Sequence, residues 1–212
     1  MDSSGMETAE RRPQSAELAL FDFDHTVTSG DTYARFLRLV ATPEQRARAW
    51  WQVGPWLLAF RLRLIAARRL RARATRLVFT GRHGDDIARL ASTYARDVLP
   101  DMVRPEMLEQ IQWHRAQGHT VAVVSASLDL YLRPWCEMFG LQLVCNQLEM
   151  ADGRLSGRYL GADVGPIKAH AVREHFDLSR YARIHAYGDS AEDRPLLALA
   201  HERWYRGKPV KR

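Results

Sequence analysis

Cysteine is scarce in this chain, and its scarcity excludes two classes of protein. Only two of the 212 residues are cysteines, Cys136 and Cys145, and they show neither a disulfide-rich pattern nor metal-ligand spacing. We therefore expect a reducing, cytoplasmic environment and two small core residues rather than reactive thiols. No cluster of histidines and cysteines has the spacing of zinc ligands, which disfavours a zinc site.

Long hydrophobic runs are also lacking. Residues 49–60 are apolar and uncharged, but about 20 such residues are needed to span a bilayer, and Pro55 should break or kink the segment. Residues 1–16 are polar and lack the apolar centre of a signal peptide, so we expect a flexible tail and no secretion. The chain is long enough for one α/β domain with a sizeable insertion.

Acidic residues are outnumbered by basic ones. The formal net charge is +6 and the isoelectric point is about 9.7. This excess favours anionic partners, namely phosphate esters, an acidic membrane surface or nucleic acid, and charge alone does not choose among them. A solvated arginine-rich face is the alternative explanation. We expect no nucleic-acid partner.

A short apolar strand that ends in two acids organises the chain. Residues 18–21 are hydrophobic, Asp22 and Asp24 follow them, and Ser29 and Gly30 then form a turn. This pattern predicts a buried strand of a parallel sheet. Side chains two residues apart on an extended chain point the same way, so the two carboxylates repel each other. A divalent cation would relieve this repulsion, and so would a catalytic role in which one carboxyl is protonated and the other ionised. The alternative is that the two acids are simply solvated at the end of a strand.

Three more polar groups follow in order along the chain. Ser125 follows the apolar strand 121–124, and Lys168 begins a helical run. Asp189 and Asp193 follow another apolar strand. Because sites in open parallel sheets form at the carboxyl ends of the strands, we expect these residues to share one site.

Together, these four groups resemble the motifs of the haloacid dehalogenase (HAD) superfamily of phosphohydrolases. The resemblance covers residues 18 to about 204. One departure is His25, where the family most often has Gly, and we expect it to affect access to the site or its pH response. The matching residues are Asp22, Asp24 and Thr26 in the first motif, Ser125 in the second, Lys168 in the third, and Gly188, Asp189 and Asp193 in the fourth.

The resemblance also implies a fold. It is an α/β, doubly wound parallel-sheet core with an all-helical cap inserted after the first strand, as in subfamily IB, which contains phosphoserine phosphatase. The core would comprise residues 17–30 and 105–212, and the cap residues 31–104. The alternation of predicted strands and helices indicates an α/β layer fold independently of the family.

The chemistry that the resemblance implies is that of a Mg²⁺-dependent phosphomonoester phosphatase. Asp22 would attack phosphorus and carry the phosphoryl group as an aspartyl-phosphate. Asp24 would protonate the leaving oxygen and later accept a proton from the hydrolytic water. Mg²⁺ suits an all-oxygen pocket made by Asp22, Asp24 and Asp189, in which Asp24 would ligate through its backbone carbonyl by the family pattern.

Five other residues complete the expected site. Ser125 and Lys168 would contact the phosphoryl group, and Asp193 would orient Lys168 or metal-bound water. Thr26 and Ser127 are further candidates for phosphate binding. The alternatives are that Thr26 fixes its own loop by a local hydrogen bond and that Ser127 caps the following helix.

Tryptophans and arginines are concentrated in the predicted cap. Residues 49–60 contain three tryptophans, and residues 61–76 contain seven arginines and no acid. A basic segment of this kind can lie at a lipid interface, which indicates peripheral contact with the inner face of the membrane. The alternative is a cap helix with its apolar stripe in its own core and its arginines in water. Residues 195–204 also resemble a stretch of bacterial phosphatidylglycerophosphate phosphatases of this subfamily.

The sequence leaves the substrate open among phosphoserine, another small phosphate and a phospholipid phosphate. A phosphotransferase that uses the same aspartyl-phosphate is one alternative function. A non-catalytic anion- or membrane-binding protein on this fold is another, and the intact set of acids argues against it.

Overall fold

A central sheet of six strands forms the middle of the computed structural model, which describes residues 16–210. The strands are β1 (Glu17–Phe21), β2 (Thr120–Leu128), β3 (Gln142–Asn146), β6 (Arg183–Gly188), β7 (Glu202–Tyr205) and β8 (Lys208–Pro209), and a separate hairpin consists of β4 (Leu148–Ala151) and β5 (Arg154–Tyr159). The order in the central sheet is β3-β2-β1-β6-β7-β8, and only the β7–β8 pair is antiparallel. The tail predicted for residues 1–16 lies outside the described residues, apart from Ala16.

Nine α-helices accompany the strands within residues 16–210. They are α1 (Thr32–Val40), α2 (Pro43–Gln52), α3 (Gly54–Arg61), α4 (Ala67–Phe79), α5 (Gly84–Asp97), α6 (Pro105–Ala116), α7 (Asp129–Met138), α8 (Lys168–His175) and α9 (Arg194–Leu197). Helices α1 to α5 all lie between β1 and β2 in the chain, which confirms the predicted α/β fold with a helical cap after the first strand. In this described part, no helix combines the length and the apolar character needed to cross a bilayer.

Strand β1 is covered on both faces, as its sequence predicts. Leu18 and Leu20 belong to one apolar cluster, whereas Ala19 and Phe21 belong to the other. All four side chains are fully buried. Because alternate residues of a strand point to opposite faces, a sheet packed on both sides needs a continuous apolar run.

The first two cap helices each begin directly after a residue whose side chain caps them. The Asp31 side chain accepts a hydrogen bond from the backbone N–H of Ala34, so α1 begins at Thr32. Thr42 and Gln45 form a reciprocal capping box at the start of α2. The predicted break near Pro55 is confirmed, because α2 ends at Gln52 and α3 begins at Gly54.

Two predictions of local structure were wrong, and two strands were missed. Strand β2 does not end at residue 124 but continues to Leu128, with an irregularity in its pairing to β3 between Ser125 and Leu128. An interruption near Pro134 was expected because proline lacks a backbone donor, but α7 runs unbroken from Asp129 to Met138. The segment after α9 adds β7 and β8 to the sheet edge, which the sequence analysis missed because these strands are short and partly exposed.

Candidate active site

Two acidic loops leave adjacent parallel strands at the carboxyl end of the sheet. Phe21 pairs with Tyr187 in the β1–β6 register, and the backbone N–H of Asp22 donates to the Tyr187 carbonyl at 2.9 Å. Asp22 therefore lies beside the loop that begins with Asp189. Parallel pairing places residues that are far apart in sequence at the same edge.

Lys168 joins two of the predicted acids. Its Nζ donates to Asp22 Oδ1 and, at 2.5 Å, to Asp193 Oδ1. The lysine side chain is only 3% exposed, so the three charges meet out of water. Burial opposes the lysine's charge, but the two carboxylates outweigh it and raise the pKa of Lys168.

The two carboxylates that share Lys168 are held in different protonation environments. Burial raises the pKa of Asp22 to about 7, because loss of hydration outweighs the attraction of Lys168. Burial acts in the same direction on Asp193, but Lys168 and the hydrogen bonds from Ser190 outweigh it and lower the pKa of Asp193. Asp193 is therefore the more readily ionised of the two carboxylates that share the lysine.

Asp193 also fixes the loop after β6. Its Oδ2 accepts hydrogen bonds from the backbone N–H of Asp189 at 3.1 Å and from the N–H and Oγ of Ser190 at 2.8 and 2.7 Å. A Cβ on Gly188 would lie 2.6 Å from the Cβ of Asp193, so this close approach requires glycine.

Three carboxylates form a cluster with the chemistry of a divalent-cation site. Asp22, Asp189 and Asp193 each offer one oxygen, and these oxygens lie within 4.8 Å of one another. Because Lys168 and the loop N–H groups already occupy both oxygens of Asp193, Asp22 and Asp189 are the better ligands. Thr26 Oγ1 lies between them, 3.0 Å from Asp22 Oδ2 and 3.5 Å from Asp189 Oδ1. The all-oxygen donor set fits a hard ion such as Mg²⁺.

The side chain of Asp24 lies outside this cluster. Its Oδ1 accepts from the backbone N–H and the Oγ1 of Thr32, both at 2.6 Å, and its Oδ2 accepts from Ser127 Oγ at 2.5 Å. The alternative prediction that Ser127 caps α7 was wrong, because no side chain caps that helix and the Ser127 hydroxyl bonds Asp24 instead. Burial raises the pKa of Asp24, and these hydrogen bonds oppose that rise.

The remaining predicted residues also lie at this edge of the sheet. Ser125 is buried in β2, and its Oγ accepts from the backbone N–H of Ser127 at 3.0 Å. His25 lies in the loop between Asp22 and Thr26 with a φ of 62°, the left-handed region that favours glycine. Glycine adopts this backbone angle without strain, which explains why glycine is common at this position in the family that the motifs resemble.

An ion-pair group missed by the sequence analysis ties the cap to the core. Arg71 of α4 bonds Asp163 at 3.0 Å and Glu192 at 3.2 Å. Both acids lie near motif residues in the chain: Asp163 precedes Lys168, and Glu192 directly precedes Asp193. No local pattern predicts this group, because its members are separated by up to 121 residues.

A cleft of about 640 Å³ opens beside the acids. Thr26 and Asp189 are among its lining residues, which also include Arg104, Glu106 and Arg206. The cleft therefore gives an anionic group access to Asp189, with two arginines and one acid in the lining.

The parallel sheet, the clustered carboxylates and the buried lysine define a protein of the α/β class with a polar site at the carboxyl end of the strands. A family model described as haloacid dehalogenase-like hydrolase matches residues 19–198. The chain therefore belongs to the HAD-like hydrolase family of enzymes.

Similar proteins agree with this assignment. Protein CicA of Caulobacter vibrioides is 31% identical, with 94% of each chain covered. A histidinol-phosphatase of Neisseria meningitidis is 25% identical over 126 residues, which cover 56% of this chain and 57% of that protein. A substrate-bound phosphoserine phosphatase complex has the same fold with a TM-score of 0.61 at 19% identity, covering 90% of this chain and 85% of that one.

Proposed function

We propose that this chain is a Mg²⁺-dependent phosphomonoester phosphatase that forms an aspartyl-phosphate on Asp22. The observation that carries the proposal is the buried Lys168, which bridges Asp22 and Asp193 beside Asp189. Burying three charges together is costly unless each is paired, and phosphoryl transfer is a reaction that needs this combination of carboxylate, cation and metal ligand.

Asp22 is the nucleophile in this proposal. Its carboxylate oxygen bonds to phosphorus while the bond from phosphorus to the leaving oxygen breaks. Lys168 holds the attacking carboxylate and offsets the negative charge of the phosphoryl oxygens. Mg²⁺, held by Asp22, Asp189 and the backbone carbonyl of Asp24, would supply positive charge that favours the ionised form of Asp22 and the bound phosphate.

Asp24 is the acid and base in this proposal. Its protonated carboxyl donates a proton to the leaving oxygen, and its carboxylate then accepts a proton from the water that hydrolyses the intermediate. Ser127 and Thr32 aim this carboxyl through three hydrogen bonds, and burial supports proton retention by raising its pKa. A phosphotransferase would use the same residues with an alcohol in place of the water.

The surface of the cap favours a phospholipid monoester as the substrate. Helices α2 and α3 contain no buried residue. Trp50 and Trp51 are 75% and 79% exposed, and large apolar side chains nearby are also exposed, including Leu58, Leu62 and Leu64. Arginines adjoin this apolar surface on both sides in the sequence. An apolar surface with basic neighbours matches an anionic bilayer, because the tryptophans enter the interface and the arginines meet the lipid phosphates.

A phosphate-release assay tests the activity. We expect phosphate release from phosphatidylglycerophosphate in mixed micelles with Mg²⁺, little release from phosphoserine, and none from either after EDTA treatment, with recovery when Mg²⁺ is restored. Turnover that persists at full rate in EDTA would refute the metal requirement. Turnover of phosphoserine but not of the lipid would refute the lipid substrate and leave the phosphatase assignment in place.

A vesicle-binding assay tests the cap surface separately. We expect the double variant Trp50→Ser, Trp51→Ser to bind phosphatidylglycerol vesicles at least about tenfold more weakly than the wild type, because burial of one large apolar side chain contributes about 1.5–3 kcal/mol. Met138→Ser, an exposed apolar residue of α7, is the matched control and should bind as the wild type does. Equal binding by all three proteins would contradict the proposed membrane contact.

A further inference from the structure

Three histidines meet at the end of the sheet opposite the candidate active site. His114 lies in α6, His119 precedes β2 and His185 lies in β6, and each offers one ring nitrogen so that the three nitrogens are within 4.8 Å of one another. Glu17, the first residue of β1, adjoins them. The proposed phosphatase chemistry uses none of these residues.

The ring nitrogens on one side of the group are held by oxygen atoms. His114 Nε2 lies 2.9 Å from the Tyr187 hydroxyl, and His185 Nε2 lies 2.7 Å from Glu17 Oε2. His119 Nε2 lies 3.7 Å from the same glutamate oxygen. The Nε2 atoms of His114 and His185 are therefore within hydrogen-bond distance of an oxygen, and that of His119 is within ion-pair distance of Glu17.

The Nδ1 atoms are differently placed. His114 Nδ1 and His119 Nδ1 are 2.8 Å apart. His185 Nδ1 has no hydrogen-bond partner, and it is the one buried side-chain nitrogen or oxygen of which this is true within residues 16–210. The His185 side chain is 7% exposed, so water does not readily compensate this nitrogen.

We propose that His114, His119 and His185 bind a transition-metal ion through Nδ1, with Zn²⁺ as the expected occupant. Metal-bound histidines usually donate their other ring N–H to a carboxylate or another oxygen, and Glu17 and Tyr187 are placed to accept here. Three imidazole ligands suit Zn²⁺ rather than Mg²⁺ and leave a fourth position for water. Tetrahedral Zn²⁺ would hold two nitrogens about 3.3 Å apart, so binding moves the His114 and His119 rings apart by about half an ångström.

Burial prepares the site for a metal ion. His114 is fully buried, and this burial lowers its pKa to about 3, so the ring is neutral at neutral pH as a ligand must be. Zinc was disfavoured on the sequence because no histidine or cysteine cluster has ligand spacing along the chain, and these three histidines come together only in the fold. The pairing of β1 with both β6 and β2 brings His185 and His119 to the same end of the sheet. A bound ion would join α6, β6 and the chain entering β2, and so stabilise this end of the sheet.

Zinc titration of the full chain tests the site. Protein stripped with EDTA and returned to saturating Mg²⁺, which protects the catalytic carboxylates, is titrated with ZnCl₂ by calorimetry. We expect one equivalent to bind and the melting temperature to rise. His119→Gln should abolish this binding, and Glu17→Gln should weaken it about 10- to 100-fold. The control His170→Gln changes a histidine of α8 that is 65% exposed and should bind Zn²⁺ as the wild type does.

Two results would overturn the proposal. The first is unaltered Zn²⁺ binding by His119→Gln, or no binding by the wild type. The second is loss of binding in Asp189→Asn, which would assign the zinc to the catalytic carboxylates. If His119→Gln does not fold, Co²⁺ added to the wild type decides, because four-coordinate Co²⁺ with nitrogen ligands absorbs strongly in the visible range and a six-coordinate oxygen site does not.

Discussion

Asp22→Asn is expected to reduce phosphate release about 10,000-fold or more. The amide has nearly the same shape as the carboxylate but lacks its charge, so it neither attacks phosphorus effectively nor holds a divalent ion well. The measurement is the initial rate with Mg²⁺ on the best substrate found in the micelle assay. Circular dichroism and a thermal melt establish that the variant is folded.

The fold of Asp22→Asn should survive for a physical reason. The raised pKa of Asp22 means that the protein already disfavours its charge, so removing that charge relieves a desolvation cost while Lys168 loses one of two partners. Asp152→Asn is the matched control, because Asp152 is an exposed residue of the β4–β5 turn with a φ of 49°, which asparagine tolerates. Wild-type turnover in Asp22→Asn would show that another group attacks phosphorus.

Lys168→Met is expected to lower both activity and stability. Methionine fills a similar volume but leaves Asp22 and Asp193 buried without their shared cation, and removing one partner of such a group typically costs about 3–5 kcal/mol. Loss of a positive charge at the phosphoryl group should reduce turnover about 100-fold or more. Urea unfolding gives the free energy of unfolding, and the phosphate assay gives the rate.

A double variant distinguishes loss of the ion pair between Lys168 and Asp193 from simple loss of packing. Lys168→Met combined with Asp193→Asn should be less destabilised than the sum of the two single variants, because the second change removes a carboxylate that the first left without its cation. Lys208→Met, on the exposed β8, is the control and should change neither quantity. Strict additivity of the two single effects would mean that Lys168 and Asp193 do not interact energetically.

Much of the candidate site could be predicted because its signals are local. Asp22 and Asp189 each follow an apolar run that must be buried, and strand ends of a parallel sheet lie at one edge. The helical cap could be predicted from capping residues such as Asp31 and Thr42, which act within one turn of chain. The β4–β5 turn was predictable for the same reason, since Asp152 and Gly153 both take positive φ there.

The relations between side chains could not be predicted in this way. The sequence analysis placed Asp22 and Asp24 together on one side of a strand, but the chain turns after Asp22, and the Asp24 side chain bonds Thr32 and Ser127 instead. The exposure of the apolar face of α2 and α3 could not be predicted either. Helical spacing alone does not show whether an apolar stripe finds a partner in the cap.

The order of apolar runs and acids in this chain was sufficient to indicate an α/β layer fold and the edge of the sheet at which its acids lie, because burial of alternating side chains is a short-range requirement. Tertiary structure alone decided that Lys168 contacts Asp22 as well as Asp193, that Arg71 links the cap to two core acids, and that His185 joins His114 and His119. Those contacts depend on strand register and side-chain direction, which are set by the packing of residues far apart in the chain.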